Sequence, residues 1–317
     1  PRPGPGQLLV RAQALSLDPY MASAVQGRHP SGAVHPGDLM PGELIGVVEE
    51  SRHPAWEPGA QVLVRGGWTD WCIAGGDPPA PGLAGILSSA AHRLPALPPG
   101  VPATVHLGVL GMPGLTAYAA LEHTLRPRPG ETFAAFAAAG CVGATAAQLA
   151  RIAGARAMGI VGTEEKAAHV TGELGLEAAV LRTPGDGLAE RLRAAAPAGI
   201  DALLANVAGP TLEAAVAVLA RAARVTFIGD VAQYNSAAQL PGTQIYGLVA
   251  ARASLAGFVV YDHYGLLPEW QARGAALIAE GRLRFREERV EGLAAAPELF
   301  ARLMRGATTG KPLVVLE

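Results

Sequence analysis

The hydrophobic rhythm of the chain changes partway along, and the change divides it. Up to about residue 100, apolar and polar positions alternate in short runs, QLLVRAQAL, GELIGVVEES, AQVLVRGG and WTDWCIA, broken by glycine and proline. A period of two sends successive side chains to opposite faces of a strand, so these runs predict a small, irregular β domain. From GMPGLTAYAALEH onward, helical patches alternate with apolar strands. Strands at TFAAFAA, ARAMGIV, AAVL, DALLANV and ARVTFIG are separated by helices over 142–154, 164–174, 187–195 and 210–221. That β-α-β-α order predicts an α/β fold with a doubly wound parallel sheet. After SLAGFVVYD come a helix near 266–280, an extended RLRFREERVEG, a helix near 296–304 and a closing strand, KPLVVLE.

Length and composition narrow this only a little. A chain of 317 residues forms one large domain or two ordinary ones, and with 50% apolar and 16% charged residues it buries a core. The net charge of −2 gives no reason to expect nucleic acid or an anionic membrane as partner. The two cysteines, Cys72 and Cys141, lie far apart and form neither a metal-ligand pattern nor a disulfide framework, which suits a cytoplasmic protein. No apolar run is long enough to predict a membrane-spanning helix, and no signal peptide is visible. The opening PRPGPGQLLV reads as a chain already under way, entering a strand at Leu8–Ala14.

One segment changes the picture more. In FAAAGCVGATAAQLARIAGA, Ala138, Gly140 and Gly143 fall as A-x-G-x-x-G between a predicted strand and a predicted helix. This is the turn that offers a helix N-terminus to a pyrophosphate: Gly140 lets the backbone approach it, and Gly143 lets the helix pack on the sheet. Readers of NAD place a carboxylate at the end of the next strand. Here that strand ends in Gly162-Thr163, with Glu164 and Glu165 following where a helix start favours acids. Lys166 one turn in, and Arg182 at the end of the third strand, add two cations that suit a 2′-phosphate, so the cofactor is read as NADP(H). The plainer reading makes Lys166 a solvated helix residue and Arg182 a strand-end charge.

LSLDPYMAS, GVLGMPGLTAYAAL, the glycine segment, GTEEK, APAGIDALLANVAGPTLEAAV, GDVAQYNS, GFVVYDHY and GLAAAPELFARLMRGATTGK occur in that order. Together they resemble the zinc-independent medium-chain dehydrogenase/reductases of the leukotriene/prostaglandin reductase type, which include curcumin-reductase-like and plant double-bond-reductase-like members. The resemblance implies a GroES-like β-rich catalytic domain, 1–110 and 263–317, split by a Rossmann NADP-binding domain, 111–262, in a homodimer. It implies NADPH-dependent reduction of the C=C bond of an apolar α,β-unsaturated carbonyl compound. It places the phosphate turn on Gly140, Cys141, Val142 and Gly143, the 2′-phosphate grip on Thr163 and Lys166, and Asn206 toward the nicotinamide. Gln233, Tyr234 and Asn235 keep the family's QYN. Some positions depart from it. Ala22 stands where the family has arginine, Ala250 where animal and plant members carry a catalytic tyrosine, and Thr308 where an asparagine ends the family's G-x-N-x-G-K. Asp230 replaces a small or apolar residue.

The chemistry follows from what is available. Catalytic zinc needs three protein ligands, and neither cysteine lies in a Cys/His cluster. Cys141, inside the phosphate turn, reads as a packing residue rather than a nucleophile. Hydride transfer to a conjugated carbonyl then needs a hydrogen-bond donor at the oxygen and a proton for the α-carbon. The tyrosines Tyr20, Tyr234, Tyr246 and Tyr261 are the protein's candidates, with simple packing of each as the alternative. Tyr246 stands four residues before Ala250, so on a helical turn its hydroxyl reaches the vacated space. Other outcomes of the same hydride are reductive ring closure of a polyene in a bacterial natural-product pathway and quinone reduction. A relative that binds NADPH without catalysis is the non-enzymatic alternative.

Overall fold

The alternation read in the first strand is realised residue by residue. In β1 (Gln7–Ser16) Leu8, Val10, Ala12 and Ala14 are buried, while the residues between them are at least partly exposed. The structure, a computed structural model, describes all residues except 30, 31, 81, 184–186, 235, 237–241 and 317. Its chain gathers into two units, Pro1–Met112 with Glu287–Glu317, and Pro113–Arg286. The first holds β1, β2 (Leu44–Ser51), β3 (Gln61–Val64), β4 (Trp71–Gly75) and β5 (His92–Arg93). The second holds β6 (Thr132–Phe136), β7 (Arg156–Val161), β8 (Ala178–Leu181), β9 (Ile200–Ala205), β10 (Leu219–Phe227) and β11 (Ser254–Gly257). β12 (Glu287–Glu291) and β13 (Lys311–Val315) return to the first.

In the first unit β1 pairs antiparallel with β2, β4 and β13, and the main path of the sheet runs β12-β13-β1-β2-β3-β5. The end of the chain belongs to this core: Ala296, Leu299, Val314 and Leu316 pack in one cluster with Leu8, Val10, Leu44 and Val62. The run RLRFREERVEG supplies β12, which lies parallel to β13 with Val290 opposite Val314.

The second unit is a six-stranded parallel sheet in the order β11-β10-β9-β6-β7-β8. Counted from β6, that is 3-2-1-4-5-6 read from the β8 edge, and the order reverses between β6 and β9. Parallel strands covered on both faces carry continuous apolar runs, and every residue of β6 is buried. Two elements differ from the sequence pattern. The helix expected over 210–221 is Pro210–Val216, because β10 already starts at Leu219 and pairs with Ile200. Ala222 breaks that strand with a left-handed φ of 60°, which its alanine- and arginine-rich sequence did not announce. The helix expected over 164–174 is regular for Glu164–Ala168 and widens to a π turn over His169–Glu173.

The division of the chain falls at 286/287 rather than at 262/263. The helix Leu267–Ala279 explains the difference. Its Trp270 is fully buried and stacks on Tyr118 of the helix Met112–Ala120, with ring centroids 5.1 Å apart. The Tyr118 hydroxyl donates to Glu269 at 2.5 Å, and Arg273 reaches Glu122 at 2.9 Å. These contacts hold the helix to the second unit. Replacing so large a buried side chain leaves a cavity, so Trp270→Ala is expected to cost about 3–5 kcal/mol. Chemical denaturation should show the loss, with hydrogen-exchange protection falling in both helices.

Candidate active site

The glycine segment forms the turn its spacing predicts. The chain leaves β6 at Phe136, turns through 137–140 and starts the helix Cys141–Ile152, the Gly140 amide donating to the Ala137 carbonyl at 2.8 Å. A Cβ on Gly143 would stand 2.6 Å from the carbonyl oxygens of both Phe136 and Ala137, so only glycine lets the helix sit this close to the strand end. The N-cap, Gly140, offers no side-chain hydrogen bond to the helix, which leaves its first N–H groups for an anion. Cys141 and Val142 are partly exposed beside it. The left-handed residue of the turn is Ala137, at φ 48°, and not Ala138 at the first fingerprint position. The Ala138 methyl is fully buried and lies 2.7 Å from where a Cβ on Gly159 of β7 would be. The methyl gained at 138 thus uses space that glycine leaves free at 159.

At the neighbouring strand ends, Val161 of β7 pairs with Leu181 of β8, and the Arg182 amide donates to the Val161 carbonyl at 2.7 Å. Gly162 and Thr163 therefore emerge beside Arg182, all three exposed. Thr163 caps the helix Glu164–Ala168 by accepting the Lys166 N–H at 3.3 Å, which fixes Lys166 one turn above it. Arg191, a residue the sequence pattern gave no reason to single out, braces this corner with bonds to the Leu181 carbonyl at 3.2 Å and the Thr183 hydroxyl at 3.1 Å. Glu164 and Glu165 occupy the first helical turn, as expected of helix-start acids. A hydroxyl and two cations at adjacent strand ends suit a dianionic phosphate.

The far side of the strand-order reversal is the end of β9. Asn206 follows it directly. Its backbone carbonyl accepts the Val231 N–H at 3.0 Å, while its side-chain Oδ1 is buried without a hydrogen-bond partner among the described residues. Asp230, a departure from the family, accepts the Ala208 N–H at 3.1 Å and so ties the loops after β9 and β10 together. Tyr234, one turn on, is half-buried, with its hydroxyl 2.7 Å from the position of a Cβ on Gly229. Burial pushes its phenol above the ordinary range, while the Asp230 backbone beside it acts the other way, and the group stays a proton-bearing donor at neutral pH. Tyr246 is 78% exposed, and its carbonyl accepts the Val249 and Ala250 N–H groups. It therefore opens the same helical turn as Ala250. Asn235 lies outside the described residues.

Tyr20 and Thr308 belong to the first unit. Tyr20 begins the helix Tyr20–Val25 and packs its ring on His29, centroids 4.7 Å apart. Burial lowers the His29 pKa, with Arg65 adding to the effect, so the ring against Tyr20 is neutral. Thr308 is buried, and the next residue, Thr309, donates its N–H to Glu288 at 2.9 Å. Among the described residues no three of His, Cys, Asp and Glu gather as metal ligands, and no helix is long and apolar enough to cross a membrane. Burial pushes the Cys72 thiol up to about 11.

The second unit fits a phosphorylated dinucleotide: a cradle that a Cβ would fill, an uncapped helix start, a cationic corner and a buried amide oxygen without a partner among the described residues. Comparisons with known proteins agree. Family models described as the N-terminal domain of oxidoreductase and as zinc-binding dehydrogenase match residues 1–80 and 141–280. The chain is 36% identical to the NADPH-dependent curcumin reductase of Escherichia coli, covering 98% of this chain and 88% of that protein. It is 32% identical to prostaglandin reductase 1 of Oryctolagus cuniculus, covering 96% and 83%. The crystal structure of CurA from Vibrio vulnificus in complex with NADPH superposes with a TM-score of 0.89 at 31% identity, over 100% of this chain and 92% of that one.

Two expectations come from this geometry. Gly159→Ala overpacks the space beside Ala138 and should cost about 1–3 kcal/mol, measured by thermal unfolding, with Ala138→Gly in the same chain recovering most of the loss. Lys166→Ala and Arg182→Ala should each remove a charge-assisted contact of about 1.5–3 kcal/mol, raising the Kd for NADPH roughly 10- to 100-fold. Their Kd for NADH should stay unchanged, as fluorescence titration would show.

Proposed function

The chain belongs to the zinc-independent medium-chain dehydrogenase/reductases of the curcumin and prostaglandin reductase type, NADP(H)-dependent enzymes, and on that premise we propose that it reduces the C=C bond of an apolar α,β-unsaturated carbonyl compound. The observation that carries the proposal is the pairing, at the strand-order reversal, of the Gly143 cradle after β6 with the unpartnered Asn206 oxygen after β9. A dinucleotide crosses a sheet of this kind at that point. The relatives' names point the same way: curcumin is the named substrate of one, prostaglandins of another, and 2-alkenals of the Nicotiana tabacum enzyme.

Gly140, Cys141, Val142 and Gly143 would hold the pyrophosphate, with Gly162, Thr163, Lys166 and Arg182 on the 2′-phosphate. Asn206 would hold the nicotinamide end, its buried Oδ1 being an acceptor for an amide N–H. Bound there, NADPH supplies the hydride. Addition at the β-carbon moves charge to the carbonyl oxygen, where a preorganised donor is worth most. Tyr20 and Tyr246 are proposed as that donor and as the source of the α-carbon proton. Tyr246 is suited to the second role because it shares a helical turn with Ala250 and leaves its hydroxyl exposed. Tyr234 has its hydroxyl folded onto its own loop, the loop that Asp230 ties to Ala208, so its part is to shape the cofactor side. Thr308 is proposed as a further cofactor contact.

Incubation with NADPH deuterated at C4, on either face, in the presence of enones, enals, quinones and polyene lactams tests the proposal. Deuterium at the carbon β to a carbonyl, in an unchanged skeleton, is expected. Deuterium in a newly closed ring, or transfer to quinones alone, would replace it with a different reductase activity; NADPH binding without transfer to any acceptor would refute it. Tyr20→Phe and Tyr246→Phe should each lower kcat by about 10- to 100-fold, the scale of one lost oxyanion donor or proton donor. Tyr234→Phe should instead raise the Kd for NADPH.

A further inference from the structure

The first unit buries an ion pair that nothing in the chemistry above employs. Lys311, the first residue of β13, is 3% exposed, and its Nζ donates to Asp18 Oδ1 at 2.5 Å and to the Leu17 carbonyl at 3.0 Å. The other oxygen of Asp18 accepts the hydroxyl of Ser16, itself fully buried. Removing two ions from water costs so much that such a pair contributes little net stability, and an apolar pair of similar size often serves the fold as well. Its position explains more than its energy does. The Leu17–Asp18 peptide is gripped at both its carbonyl and its side chain just where β1 has ended. Asp18 then accepts the Met21 N–H at 3.1 Å, which starts the helix whose first residue is Tyr20. Immediately before the lysine in the chain come Thr308, Thr309 and Gly310.

We propose that Lys311 and Asp18 are positioning residues: their buried pair locks the start of the Tyr20 helix to the Thr308 loop and so holds the Tyr20 hydroxyl in its working place. The inference rests on the reading in which Tyr20 meets the substrate. Neither charged group touches the reacting atoms, and both act through the backbone they grip.

The test compares the wild type, Tyr20→Phe, the double variant Asp18→Leu/Lys311→Met, and the triple variant, with benzylideneacetone as acceptor. Replacing both charges leaves no unpaired ion, so the double variant should fold, with circular dichroism and a melting profile like the wild type's. Its Kd for NADPH should move much less than its kcat, because the glycine cradle and the cationic corner belong to the second unit. Its kcat should fall about tenfold or more while KM moves much less, the signature of a contact made in the transition state. Adding Tyr20→Phe to it should cost almost nothing further, since both changes remove the same interaction. A folded double variant with wild-type kcat, or a loss that simply adds to that of Tyr20→Phe, would overturn the proposal. If the double variant does not fold, Asp18→Asn/Lys311→Gln, which keeps polar groups at both positions and removes both charges, is judged by the same criteria. Failure of the underlying reading looks different: a wild type that turns over while Tyr20→Phe matches it would remove the role of Tyr20 and the inference with it.

Discussion

The constraint on which the cofactor side of the structure depends is the approach of the Cys141–Ile152 helix to the end of β6. With the Phe136 and Ala137 carbonyls 2.6 Å from the place of a Cβ at 143, the helix start is fixed relative to the sheet almost without freedom. Everything proposed for the cofactor depends on that approach. It aims the uncapped N–H groups at the crevice, and it sets them opposite Asn206, because the strand that follows β6 in the reversed direction is β9. A methyl at 143 would push the helix away and take the anion site with it.

The same economy of space governs the rest of the second unit. Ala138 is accommodated because residue 159 on the neighbouring strand is glycine, and the strain of the turn is carried by Ala137 in a left-handed conformation that costs an L-residue roughly 1–2 kcal/mol. Strain of this kind persists where surrounding packing over-determines it. Here the surroundings are the fully buried β6 and the helix seated on its end. The loops after β9 and β10 are held by polar contacts instead, through Val231 to Asn206 and Asp230 to Ala208. Asp230 therefore has a structural use for its carboxylate.

The first unit is built on a different device. Both ends of the chain meet in one sheet, with β1 lying between β13 and β2, and Ala296, Leu299 and Val314 completing a core begun by Leu8 and Val10. The Lys311–Asp18 pair lies where these two stretches of chain, almost 300 residues apart in sequence, run side by side. It couples the two segments of this unit that carry candidate site residues. A buried pair of this kind contributes little net stability, because desolvation of both charges offsets their attraction.

Local pattern was enough for much of this protein. Period-two alternation gave β1, continuous apolar runs gave the parallel strands, and the spacing of Ala138, Gly140 and Gly143 gave the turn, because each depends on residues close together in the chain. The order of motifs along nearly the whole length was enough for the family. Tertiary structure alone decided where Trp270 packs, and so which unit holds its helix. It ended the Pro210–Val216 helix early, since pairing of Leu219 with Ile200 outweighed the helical preference of an alanine-rich run. It placed the left-handed residue at Ala137, matched Ala138 to Gly159, left the Asn206 oxygen without a partner among the described residues and joined Asp18 to Lys311. Those features share a physical reason: each is a contact or a cost set by a partner distant in sequence, and periodicity and spacing describe only what a residue does with its near neighbours.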